Sequence, residues 1–128
     1  MAQETRQDDL SILNADRLFR RVSPNQLRFE QGVWRPTSAA FKTFEMSVNI
    51  ESLMIEQGRP PEDTLTDHPG EYLTAITAGS VRPYGYPIVK DTESPNDPAH
   101  GLVLGKKTGA FANAMVRGHK WIVEPPPQ

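Results

Sequence analysis

The stretch FEMSVNIESLMIEQG, Phe44 to Gly58, decides how this chain folds. Its first half alternates. Phe44, Met46 and Val48 are apolar, while Glu45, Ser47 and Asn49 are polar, the period of a half-buried strand. Its second half changes period. Ile50, Leu53, Met54 and Gln57 fall on a stripe with the 3.6-residue repeat of a helix, Asn49 stands as N-cap and Glu51 lies in the positive first turn. Gly58 closes that helix, and Pro60 and Pro61 prevent it from resuming. A strand running directly into a helix implies both element types in one core.

The segments on either side extend the pattern. Residues Arg59 to Gly70 read as a polar, proline-rich loop. Tyr72 to Val81 carries apolar groups on both faces and reads as a central strand, with a helix as the alternative. Arg82 to Pro87 has turn chemistry, Ile88 to Lys90 fits a short edge strand, and Asp91 to Pro98 is a second loop. The last third reads strand, helix, strand. Gly101 to Leu104 is apolar. Thr108 caps a helix carrying Ala110, Phe111, Ala114 and Met115, and Gly118 ends it. Trp121 to Val123 form a final strand.

Upstream, Asn14 to Val22 admits two readings. As a helix, Asn14 is the cap, Asp16 sits in the first turn, and Leu18, Phe19 and Val22 share a face. As a strand, Leu18, Arg20 and Val22 share a face, which aims Arg20 at the core and demands a partner for it. The expected class is α+β: a single small domain over residues 10–124, with a mixed sheet of about five or six strands and two or three helices. Residues 1–9 read as a disordered tail and 125–128 as a proline-rich one.

Composition bounds the function. The 128 residues carry 14 basic and 16 acidic side chains, a net charge of -2, so no global field draws the chain to nucleic acid or an anionic membrane. There is no cysteine, which removes disulfides, thiolate zinc sites and cysteine nucleophiles together. No apolar run approaches the roughly 20 residues of a membrane helix, and none follows Met1 as a signal peptide would. The expected compartment is the cytoplasm. No cofactor is implied.

Three sets of residues could carry chemistry. Gly105-Lys106-Lys107-Thr108-Gly109 opens a helix after a strand, where backbone donors and two lysines suit an anion; the spacing is not that of a P-loop, and a solvated turn is the plainer account. Arg17, Arg20, Arg21, Arg28 and Arg35 offer guanidinium forks for carboxylate or phosphate, although Asp8, Asp9, Asp16 and Glu30 lie near enough in sequence to neutralise them. Trp34 to Phe41 places Ser38, Ala39 and Ala40 between aromatics, which allows close approach of a backbone or a flat ligand, although a strand whose small residues pack under a helix is the plainer account; Ser38 has no adjacent base. The three histidines, His68, His100 and His119, match no metal spacing. His68 reads as solvated, and His119 as a partly protonated ring at a helix C-terminus.

The strings Leu18-Phe19-Arg20-Arg21-Val22, Arg35-Pro36-Thr37-Ser38-Ala39-Ala40-Phe41 and Met46-Ser47-Val48-Asn49 resemble a group of short bacterial proteins, with Pro98-Ala99-His100 and Trp121 as later marks. In that group Ser stands at the position of Thr37 and Asp at that of Asn49. The resemblance spans most of residues 17–125 and implies a stand-alone protein, but no activity, cofactor or catalytic residue. Arg20 or Arg21, Ser38 and Glu124 also resemble, in order along the chain, the arginine, serine and glutamate of ADP-ribosyltransferases, without a Glu-x-Glu pair. The expected function is a binding or accessory module, acting on a protein or an anionic small molecule through Arg20, Arg21, Arg35, Ser38, Lys106 and Lys107. The alternatives are an NAD-using transferase and, with no recognition motif to support it, a nucleic-acid-associated factor.

Overall fold

A computed structural model describes residues 6–91 and 97–127. Eight strands and three α-helices follow in the order β1 (Arg17–Val22), β2 (Leu27–Glu30), β3 (Val33–Pro36), β4 (Glu45–Ile50), α1 (Glu51–Glu56), β5 (Tyr72–Thr77), α2 (Ala78–Val81), β6 (Ile88–Lys90), β7 (His100–Leu104), α3 (Gly109–Gly118) and β8 (Lys120–Val123). Six strands make one sheet, ordered β6-β7-β4-β1-β5-β8, and β2 and β3 form a separate hairpin. The chain is α+β, as the alternation of periods predicts. Every pairing in the large sheet is antiparallel, where a mixed sheet was expected.

The two-way reading at Asn14–Val22 resolves as a strand. β1 sits in the middle of the sheet and pairs with β5 along its length, Arg17 with Thr77 through Val22 with Tyr72. Leu18 and Val22 on one face are fully buried, and so is Phe19 on the other. A helix would bury only one side of this segment. Asp16 therefore caps no helix of its own. It caps α1 instead: its carboxylate accepts from the Ser52 backbone N–H at 3.0 Å and from the Ser52 hydroxyl at 2.5 Å. Asn49, expected to be that cap, is still inside β4, and the helix starts one residue later.

The sheet has two unlike faces. On one, Leu18, Val22, Met46, Ile50, Ile76 and Val103 pack beneath Phe111, Ala112 and Met115 of α3, with Ala40 and Phe41 from a 3-10 turn at Ser38–Phe41. On the other, Phe19, Leu73 and Ala75 pack with Met54 of α1 and with Ala99. Gly101 belongs to the first face, where an added Cβ would lie 2.6 Å from Ile50 Cδ1 and 3.0 Å from the Val89 carbonyl, so this pairing needs glycine.

Parts of both terminal segments pack on the domain. The Asp9 N–H donates to the Ile88 carbonyl at 2.8 Å, and Asp8 accepts from the Ile88 N–H at 2.9 Å, so the segment closes the outer edge of β6. Arg82 holds this segment through Asp8, the Asn14 side chain and the carbonyls of Asp9 and Ile12. At the other end Pro125 is buried and the Pro126 carbonyl accepts from Trp34 Nε1 at 2.9 Å. Residues 1–5 and 128 of the two expected tails lie outside the described residues, as does 92–96 of the expected loop at 91–98.

Candidate functional site

The six residues expected to hold an anion do not meet at one site. Arg20 is buried on the α3 side of the sheet. Its guanidinium donates to the Ala40 carbonyl at 2.9 Å, the Ser47 carbonyl at 3.0 Å and Thr43 Oγ1 at 3.0 Å. Lys107 is buried nearby, and its Nζ donates to the carbonyls of Thr43, Phe44, Val103 and Gly105 at 2.6–3.1 Å. Both cations are thus spent on the connection that leads into β4. Burial is the main cause that lowers the Lys107 pKa to about 8, with Arg20 second. Burial likewise draws Arg20 down to about 10, with Arg21 adding to the fall.

The helix N-terminus beside Lys107 is occupied as well. Thr108 accepts from the Phe111 N–H, as its sequence position predicts, and the Thr108 N–H donates to the Tyr86 hydroxyl. Lys106 is exposed, with its carbonyl bonded to the same hydroxyl. Arg35 is exposed on the hairpin, and Ser38 begins the 3-10 turn. Glu124 is exposed beyond β8. Neither Arg20 nor Ser38, the pair an NAD-using transferase would need together, lines the cavity described below. Arg17 and Arg28 pair with Glu51 and Glu30.

Of the six, Arg21 lines the cleft on the opposite face of the sheet. Alternation along β1 turns it to the opposite side from Arg20, onto the face that carries the cleft. There a cleft of about 590 Å³ lies between the sheet and the 59–68 segment, lined by both polar and apolar groups. Its floor crosses three strands: Phe19 and Arg21 from β1, Ser47 and Asn49 from β4, and His100 from β7. Its wall includes Arg59, Asp63, Thr64, Asp67, His68 and Asp97.

The register explains why these side chains converge. Asn49 pairs with Phe19 on one side and with His100 on the other, so their side chains share a face. Asn49 donates to Thr64 Oγ1 at 3.1 Å, which ties the wall to the floor. Arg21 lies 3.6 Å from Glu71 and donates to His68 Nε2. Arg59 is shared by Asp63 at 3.5 Å and Asp97 at 3.6 Å. His100 Nδ1 lies 2.9 Å from Asp91 Oδ2. Among the described residues no group of three or more His, Asp or Glu side chains could hold a metal ion, and no helix is long and apolar enough to cross a membrane.

The third histidine departs from its expectation. His119 stands at the C-terminus of α3, as expected, but not as a partly protonated ring. Its Nδ1 meets Thr74 Oγ1 at 2.7 Å, and the Thr74 hydroxyl donates to the Lys120 carbonyl at 3.1 Å. The hydroxyl proton is then spent, so the ring donates from Nδ1. Burial, with Arg35 and Lys120 nearby, lowers its pKa to about 4.

Comparison with protein-family models, curated proteins and solved structures finds no match to this chain. The site therefore rests on its own geometry. Sequence reasoning singled out Arg21 but not Ser47, Asn49, Arg59, Asp91 or Asp97. Two of the strings that carry the bacterial resemblance, Met46-Ser47-Val48-Asn49 and Pro98-Ala99-His100, do end at this cleft. Their meeting depends on β7 pairing with β4 across 50 residues of chain, which no local pattern encodes.

Proposed function

We propose that the protein is a binding module that takes a small anionic ligand in the cleft between β1, β4, β7 and the 59–68 segment. The observation that carries this reading is the position of Arg21. It is a guanidinium on the floor of a cavity of about 590 Å³, beside His68 and two strands from His100. That volume falls within the range of small-molecule sites, and a few convergent polar groups in such a cavity are what orient a ligand. An arginine held 3.6 Å from Glu71 keeps donors for a carboxylate or similar oxyanion.

The lining also limits the ligand's charge. Arg21 and Arg59 face Asp63, Asp67 and Asp97, and Arg59 is already shared between two of these. A singly charged ligand fits this balance better than a polyphosphate. Arg20 and Lys107 are left out of this site, because their donors already meet main-chain carbonyls.

The test is a titration of isotope-labelled protein with acetate, benzoate, 4-hydroxybenzoate and inorganic phosphate, followed by amide chemical shifts. The carboxylates should move Arg21, Ser47, Asn49, His68 and His100, and should raise the melting temperature in proportion to occupancy. Arg21→Gln should abolish those shifts while the fold is retained. If the carboxylates leave these amides unmoved at millimolar concentration, the reading fails.

A further inference from the structure

We propose that the cleft is also a hydrolytic centre, in which His100 is the general base and Asp91 is the residue that positions it. This rests on the ligand-binding reading above and adds a reaction to it. Asp91 and His100 are joined twice: His100 Nδ1 to Asp91 Oδ2 at 2.9 Å, and the Asp91 N–H to the His100 carbonyl at 2.8 Å. The pairing of Lys90 with Gly101 places Asp91 on the β6 side of His100, and Asn49 pairs on the opposite, β4 side. An ionised carboxylate only accepts, so Nδ1 carries a proton, and in the neutral form of the ring Nε2 is the nitrogen with the free lone pair. His100 lines the cleft and Asp91 does not, so Nε2 is the nitrogen left to serve the cavity.

A base, a carboxylate that fixes its tautomer and a cavity to hold a reactant are the parts that general-base catalysis requires. Arg21 supplies an anchor for one negative charge, and the Ser47 hydroxyl lines the same floor. The substrate class is a small carboxylic ester that bears one separate anionic group. Water held by Nε2 attacks the ester carbonyl carbon. The new C–O bond forms from water oxygen as one water proton passes to Nε2. The bond to the alcohol oxygen then breaks, and Nε2 returns the proton to the departing alkoxide. The products are a carboxylate, its proton released to solvent, and an alcohol. No cysteine nucleophile competes with this route, because the chain has none.

The assay uses 4-acetoxybenzoate, whose charge lies remote from its ester, with phenyl acetate as the neutral comparison and 4-hydroxybenzoate as an unreactive binding probe. The full chain should hydrolyse 4-acetoxybenzoate above the buffer rate and prefer it to phenyl acetate. His100→Gln should lower kcat by about 100-fold or more, while 4-hydroxybenzoate still binds. Asp91→Asn should lower kcat and shift the acid limb of its pH profile, and it carries the test should His100→Gln fail to fold. Arg21→Gln should raise KM with a smaller effect on kcat. Binding of 4-hydroxybenzoate without turnover overturns the hydrolytic inference alone. Turnover that survives in folded His100→Gln and Asp91→Asn also overturns it. Absence of both binding and turnover overturns it together with the binding reading.

Discussion

Arg20 and Lys107 show how one residue type can be read correctly for chemistry and wrongly for location. Both were expected at a ligand, and both instead bind main-chain acceptors between Ala40 and Gly105. The strand reading of β1 did aim Arg20 inward and asked for a partner, and that demand is met by carbonyls 20 and 27 residues away. Such partners have no signature, since every residue carries a carbonyl. His119 is the half-buried group whose shift acts on the acid side of neutrality. Its pKa is about 4 in the fold against 6.5 for a free ring, with burial the main cause. Between these values the unfolded chain binds a proton that the folded chain does not, so stability falls as pH drops from about 6.5 to 4. With the ring only partly enclosed, the loss is about 2 kcal/mol. Urea midpoints for wild type and His119→Gln should therefore differ more at pH 7 than at pH 4.5. Parallel pH profiles would rule this out.

At the scale of elements, the reading by periodicity fared best where neighbours in sequence are neighbours in space. The strand and helix of Phe44–Gly58, the edge strand Ile88–Lys90 and the capped helix from Thr108 all appear. It fared worse where partners come from afar. The cap of α1 is Asp16, 36 residues before Ser52, which freed Asn49 to stay in β4 and to face the cleft. The β2–β3 hairpin was not foreseen, because an isolated pair of strands depends on what it docks against. Here it docks through two indoles. Trp121 Nε1 donates to the Trp34 carbonyl at 3.0 Å, and Trp34 Nε1 donates to the Pro126 carbonyl at 2.9 Å. Trp121→Phe keeps most of the apolar contact but loses the first bond, at a cost of about 1 kcal/mol. Hydrogen exchange should quicken in Leu27–Pro36 while β1 and β4 keep their protection. Uniform loss across the sheet would show that the hairpin is not an independent unit.

For the whole molecule, the class and most element positions were legible, but the site was not. Strand order β6-β7-β4-β1-β5-β8 brings Asp91, His100, Asn49 and Arg21 onto one side of the sheet from four separate parts of the chain. Local spacing carries helix and strand; it does not carry which strand lies beside which. The same order leaves β6 at one rim, and the chain covers it with its own early residues, Asp8 and Asp9, behind the fully buried Ile12. Deleting residues 6–13 should therefore do more than lower the melting point. The uncovered main-chain groups of Ile88 would become available to the same strand of another molecule, and light scattering should report concentration-dependent aggregation that the intact protein resists. The amino-terminal segment thus acts as a stopper against fibril-like stacking, and a fusion partner spliced between Asp9 and Ile12 would pull it out.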